Sequence, residues 1–370
     1  MNITPPTLLS GFFKKTLLLV GGVFFFCFSS FAQPSSFTYF PPSDGDWQKM
    51  SWEEVDWNRE KLAELLAWLP SQDTRAFLMV KDGKILLEEY WGSKLTGTGE
   101  MDQNSLWYWQ DAAQTLTAVL IGIAQQEKLL SIKNSSQDFL GSGWTSMNPS
   151  MEQEIRLVHH LTMTTGIDDE IGNPMDFSPA SLTYRAKPGS RWAYHDPPYA
   201  VLEKVLENAS RQSLQEFFKS RIADPIGMNG FWQKTGERNV FYSSARSFAK
   251  FGLLLLANGN WNQTKIWSGG YFSNLTKPSQ KSNPSFGYLT WLNGQSSYRL
   301  PGIQKPFFGS LVPSAPSDLY MSVGEGGQLL MVVPSEQLVI VRMGSAKDTP
   351  DASFVLIREF WDRMIQVMKN

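Results

Sequence analysis

The apolar positions of the chain follow two rhythms. Over 112–130, Leu116, Val119, Leu120, Ile123 and Ala124 recur at helical spacing and predict one long helix with a single buried face. The run SARSFAKFGLLLLA at 244–257 predicts a second helix, and 351–368 an amphipathic one near the end. Shorter helical spacing runs over 57–69 and 213–222. Strand-like runs at 75–80 and 84–91 flank Lys81-Asp82-Gly83, the chemistry of a tight hairpin. Two more, at 328–333 and 338–343, flank Pro334-Ser335-Glu336-Gln337. Strands at both ends around a helical middle predict an α+β fold. Its antiparallel sheet is assembled from both ends of the chain and flanked by helices, with a mostly α region inserted.

Composition narrows the function classes. Charged residues are 18% and aromatics 13%, the reverse of a disordered chain's balance. A net charge of −2 offers no basic surplus for a phosphate backbone, so no nucleic-acid partner is expected. At the start, Lys14 and Lys15 precede an apolar stretch of 13 residues, 16–28, and then Ser30 and Ala32. That stretch is shorter than the roughly 18 apolar residues a spanning helix needs. It predicts a signal peptide over 1–32, cut after Ala32, and hence an exported, periplasmic or extracellular protein with no transmembrane helix left. Retention as an anchor is the rival reading. Cys27, the single cysteine, leaves with that segment, and with it all thiol and disulfide chemistry. The remainder divides into a Pro/Ser-rich extended lead-in, 33–47, and one domain, 48–370. Its α/β part is expected at about 48–110 and 305–370, and its mostly α part at about 111–304.

Six segments occur in the order of a known family: SLWYWQDAAQTLTAVLIGIAQQEKLLS (105–131), HHLTMTTGIDD (159–169), KPGSRWAYHDPPY (187–199), SSARSFAKFGLLLL (243–256), NPSFGYLTWLNG (283–294) and LVPSAPSDLYMSVGEGGQLLMVVPSEQLVIVRMG (311–344). Together they resemble the serine β-lactamase and penicillin-binding-protein superfamily, in the branch of class C β-lactamases, esterases and 6-aminohexanoate-dimer hydrolases. The resemblance implies a β-lactamase/DD-peptidase-like fold with its site in a cleft between the α/β and mostly α parts. It also implies three catalytic elements. These are Ser-x-x-Lys at a helix start, Tyr-x-Asn in the α region, and Lys/His-x-Gly on a strand near the C-terminus.

The sequence departs from each element. By register, Asp111 and Gln114 stand where the serine and lysine belong. Tyr194-His195-Asp196 stands at the second motif and Glu325-Gly326-Gly327 at the third. The expectation is a chain that has lost serine-hydrolase chemistry and keeps a cleft for a ligand or partner, plausibly cell-wall-derived. Its ligand-binding residues would be Tyr194, His195, Asp196, Glu325, Gly326 and Gly327, with no cofactor. Asp111 with Gln114 also reads as a capping box for the helix that follows. Two alternatives stay open. One is an active hydrolase using Asp111, Asp196 and Glu325 with Tyr194, with those carboxylates holding a metal if they converge. The other is an unselected relic. Literal Ser247-x-x-Lys250 and Lys234-Thr235-Gly236 motifs occur in the wrong order and are read as chance. His159 and His160 read as structural, and Arg191 as a partner for one of the new acids.

Overall fold

The Asp82-Gly83 pair closes the first hairpin in the computed structural model, which describes residues 39–369 except 44, 171–175, 237, 347–348 and 350. Both turn residues take positive φ, 51° and 82°, which matches the twist of the strands they join. The predicted signal segment lies outside the described residues, which all belong to one unit, 34–370. No helix among them is long and apolar enough to cross a membrane.

In chain order the strands are β1 (Thr74–Lys81), β2 (Lys84–Tyr90), β3 (Leu106–Tyr108), β4 (Phe231–Thr235), β5 (Arg238–Ser244), β6 (Asn260–Trp261), β7 (Thr264–Lys265), β8 (Trp291–Leu292), β9 (Ser297–Leu300), β10 (Ile303–Phe308), β11 (Tyr320–Gly324), β12 (Gln328–Val333) and β13 (Leu338–Gly344). The main sheet runs β2-β1-β13-β12-β11-β8, with antiparallel neighbours throughout. It joins both ends of the chain, as the strand pattern predicts. Strands β12 and β13 are buried along their whole length, because helices cover both faces.

The alternation of side chains along β13 shows which helix covers which face. Val339 points toward Gly252 of the helix Ala245–Leu256, where a Cβ would stand 2.5 Å from the valine Cγ1. The glycine therefore sets how closely that helix packs. On the opposite face, Phe77, paired with Arg342, meets Phe360 of the helix Ala352–Val367 at 5.8 Å between ring centres.

The structure corrects several boundaries. The helix predicted over 112–130 begins with a tight 3-10 turn, Gln110–Ala113, and is α-helical only over Gln114–Gln126. Gln110 has φ 48°, a strained entry that propensity does not signal. The helix predicted over 213–222 is Leu214–Phe218 followed by a wider π turn, Lys219–Ala223. The region expected to be mostly α contributes β8 to the main sheet, and its strands β4 and β5 form a second sheet with β3 of the preceding part, in the order β3-β5-β4. That small sheet carries a cleft residue absent from the sequence reading. In the lead-in, Lys250 Nζ donates to the Pro42 carbonyl at 2.9 Å, and Trp47 Nε1 donates to that of Gly83 at 2.7 Å. Its described part is thus fastened to the domain.

Candidate functional site

Trp109 fixes the start of the cleft helix. Its ring stacks on Phe248 at 3.7 Å, its amide donates to the Phe241 carbonyl, and its Nε1 donates to Ser243 Oγ at 2.8 Å. The 3-10 turn that follows presents Asp111. A second edge comes from the turn after β11. There a Cβ on Gly324 would stand 2.3 Å from the Trp109 carbonyl oxygen, so only glycine lets the strand end approach. This contact sets Glu325 beside the helix start. Arg342, 2% exposed, braces the same turn from behind by donating to the carbonyls of Gly326 and Gly327 at 2.8 and 2.9 Å. The third edge is His195-Asp196, where the helix Asp196–Ser210 begins. Its first residues, Asp196-Pro197-Pro198, suit a helix N-terminus by charge and by fixed φ.

Between these edges lies a cleft of about 600 Å³, lined by Asp111, Tyr194, His195, Asp196, Glu325 and Gly326 together with Tyr108, Trp291 and Phe354. The aromatics do not fill it. Trp109 and Trp192 are buried in the core beside it. The sequence-predicted positions do converge, with Gln114 and Gly327 behind the wall rather than on it.

The residue missed from sequence is Arg238, at the start of β5. Its Nη1 lies 3.2 Å from Asp196 Oδ2 and 3.6 Å from Asp111 Oδ1. Its Nη2 lies 3.4 Å from Glu325 Oε2 and donates to Gln110 Oε1 at 3.0 Å. One guanidinium therefore serves three carboxylates. The cation the three acids require is part of the chain, and among the described residues no group of His, Cys, Asp or Glu has the arrangement of a metal site. Asp111 and Asp196 are each 13% exposed, whereas Glu325 is 56% exposed and faces solvent. Burial pushes the Asp111 carboxyl up to about 6, with Arg238 opposing and Glu325 reinforcing. Burial, and then the neighbouring Asp111, raise Asp196 well above the usual carboxylate range.

The capping-box reading of Asp111 and Gln114 does not hold. Neither end of the turn has a side-chain cap. Tyr199 donates to Asp111 Oδ1 at 3.3 Å, and Gln114 Nε2 donates to Tyr194 Oη at 2.8 Å. Burial and the charges of Asp111 and Asp196 raise Tyr194 well above an ordinary phenol, so it stays protonated. Arg191 pairs with Asp169, at 3.1 Å through Nη2, and not with a substituted motif position. His195 bonds neither neighbour, and both ring nitrogens lack a partner. His160 bridges Ser136 and the Pro198 carbonyl, and His159 Nδ1 accepts from the Arg156 amide, so both order backbone. Ser247 Oγ donates to Asn229 Oδ1 at 2.7 Å in a separate depression, with Lys250 turned to the lead-in. Lys234 and Thr235 are exposed on β4.

The Asp111 shift gives a stability prediction. A carboxyl whose folded pKa is raised from 3.8 to about 6 contributes stability at acid pH that is lost as pH rises through 6. Replacing Asp111 with asparagine is expected to flatten that loss by on the order of 2 kcal/mol. Urea unfolding of both proteins from acid to neutral pH reads it as a difference that grows in the variant's favour.

A family model, Beta-lactamase, matches residues 73–358. The chain belongs to the Beta-lactamase family. Solved structures with the same fold include a candidate 6-aminohexanoate-dimer hydrolase from Bacillus anthracis, with TM-score 0.66, 16% identity and 88% of each chain covered. A penicillin-binding protein from Bacillus halodurans has TM-score 0.58 and 15% identity over 80% of this chain and 98% of its own. EstCE1, a hydrolase with promiscuous acyltransferase activity, has TM-score 0.62 and 11% identity over 83% and 98%. No functionally curated sequence matches. At these identities the neighbours establish the Beta-lactamase fold and nothing finer about this member.

Proposed function

We propose that this Beta-lactamase family member is an exported binding protein that does not carry out acyl-enzyme chemistry, and that its cleft holds a ligand rather than turning one over. The observation that carries the reading is the fate of the nucleophile and base positions. Asp111 is engaged by Arg238 and Tyr199, and Gln114 by Tyr194. No lysine lines the cleft among the described residues. Nucleophilic catalysis of this type needs a hydroxyl beside a base that can take its proton. A protonated Tyr194 and a neutral amide at Gln114 supply none. Hydrolysis driven by Asp111 and Asp196 is the weaker reading, because the two acids are held against one guanidinium rather than against a nucleophile. Export rests on the 1–32 segment, and N-terminal sequencing of secreted protein beginning near Gln33 is its test.

Turnover tests the main reading. Nitrophenyl esters and a chromogenic β-lactam are expected to show no hydrolysis above background with the wild type. The double variant Asp111→Ser, Gln114→Lys is expected to gain ester hydrolysis, in the range of 10²–10⁴-fold that positioned general acid–base catalysis supplies. Ester turnover by the wild type above background would overturn the reading, and its loss on replacing Asp111 or Asp196 would assign it to the cleft carboxylates.

A further inference from the structure

Among the described residues the cleft wall has a surplus of acid. Four carboxylates of those residues line it: Asp111, Asp169, Asp196 and Glu325. Arg191 matches Asp169, and Arg238 is the one described cation paired with the other three. Glu325 holds only one contact with that guanidinium and is more than half exposed, so its charge projects into the opening. A focused negative potential in a cleft with apolar walls draws in cations and repels carboxylates.

Two further features of the wall suit a ligand that carries a cationic N–H. The rings of Tyr194 and Trp291 stack at 5.8 Å between centres, and Phe354 meets Trp291 at 4.7 Å; all three line the cleft, Trp291 and Phe354 each with only 3% of their surface exposed. The faces of such rings are negative and attract a poorly hydrated cation. The second feature is His195. It lines the cleft, is 5% exposed, and has neither ring nitrogen hydrogen-bonded. Burial holds the imidazole neutral by pushing it down to about 4, so at neutral pH one nitrogen is an acceptor and the other an N–H donor, and neither has a partner. An unpartnered buried polar group is costly, and a ligand N–H would satisfy the acceptor nitrogen.

We infer that the cleft binds an organic ammonium ion, with its charge against Glu325 and the aromatic wall of Tyr194 and Trp291 and an N–H given to His195. This rests on the cleft being a binding site rather than a catalytic one. It narrows that reading to a chemical class opposite in charge to a β-lactam carboxylate.

Calorimetric titration of the whole protein at neutral pH and low salt tests it with three probes of one size: benzylammonium, phenylacetate and benzyl alcohol. Benzylammonium is expected to bind at least about tenfold more tightly than phenylacetate, with the preference shrinking as salt is added. Glu325→Gln, an exposed change that leaves the fold alone, is expected to weaken benzylammonium about tenfold, and Glu325→Lys to reverse the preference. His195→Leu removes two unsatisfied buried nitrogens, so it is expected to weaken benzylammonium without lowering the melting temperature. Equal affinity for the three probes, or a preference for phenylacetate, overturns the cation assignment and leaves a binding cleft standing. Binding of none of them also overturns it, whereas loss of acyl-enzyme chemistry is judged separately by turnover. Indifference of benzylammonium to Glu325→Gln overturns the placement at that residue.

Discussion

Replacing Arg238 with methionine is expected to lower folding stability by roughly 3 kcal/mol at neutral pH, with much of that loss recovered on acidification. The arginine is the cation between Asp111, Asp196 and Glu325, and it is itself only 16% exposed. Removing one partner of a buried ion group costs more than the group contributes, because the remaining charges stay desolvated without compensation. Asp111 and Asp196 are already pushed upward by burial, and without the guanidinium they rise further. Their contribution is therefore retained in acid and lost as pH rises through the folded values. Urea midpoints at neutral and mildly acid pH measure both halves of the expectation. A variant with an unchanged neutral midpoint would mean that the three carboxylates have no need of Arg238.

The second large effect is expected at Arg342. Its side chain donates to the carbonyls of Gly326, Gly327, Gln72 and Ser345 and to Thr74 Oγ1, buried or half-buried groups at the end of β13. Methionine has similar length and no donor. Arg342→Met would leave those carbonyls unsatisfied at about 1–3 kcal/mol each, partly relieved by water reaching the turn, for a net loss of about 3–5 kcal/mol. Two of these carbonyls belong to the turn that carries Glu325. The same variant is therefore expected to weaken cleft binding even where it remains folded, whereas Arg238→Met acts through the carboxylates it pairs with. Thermal melting, with benzylammonium titration of the folded fraction, separates the two effects.

The parts of this fold that were legible in the sequence are those set by local chemistry. Asp82-Gly83 accepts positive φ at both turn positions, so the first hairpin follows from the residues themselves. Ser244 is an N-cap whose side chain accepts from the Ser247 amide, and the run after it is apolar on one face, so that helix was also readable. The convergence of Asp111, Asp196 and Glu325 was legible only through register with the family. Arg238 was not legible at all. It lies in a hairpin far along the chain from the motif positions that converge on the cleft, and its approach to the cleft acids is set by how β5 pairs with β3 behind Trp109. One signal did point to it. Three converging acids require a cation, and Arg191, the arginine nearest the second motif, is taken by Asp169. The misread capping box has a similar cause. Asp-x-x-Gln is a sound local cap, but burial beside a guanidinium and two tyrosines outweighs a cap of about 1 kcal/mol.

The central claim is that no hydroxyl in this cleft can be acylated. Intact-mass measurement of the purified protein after incubation with a fluorophosphonate and with benzylpenicillin tests it most directly. The account predicts an unshifted mass for the wild type with both reagents. A stoichiometric adduct on a serine lining the cleft, Ser345 or Ser353, would contradict it.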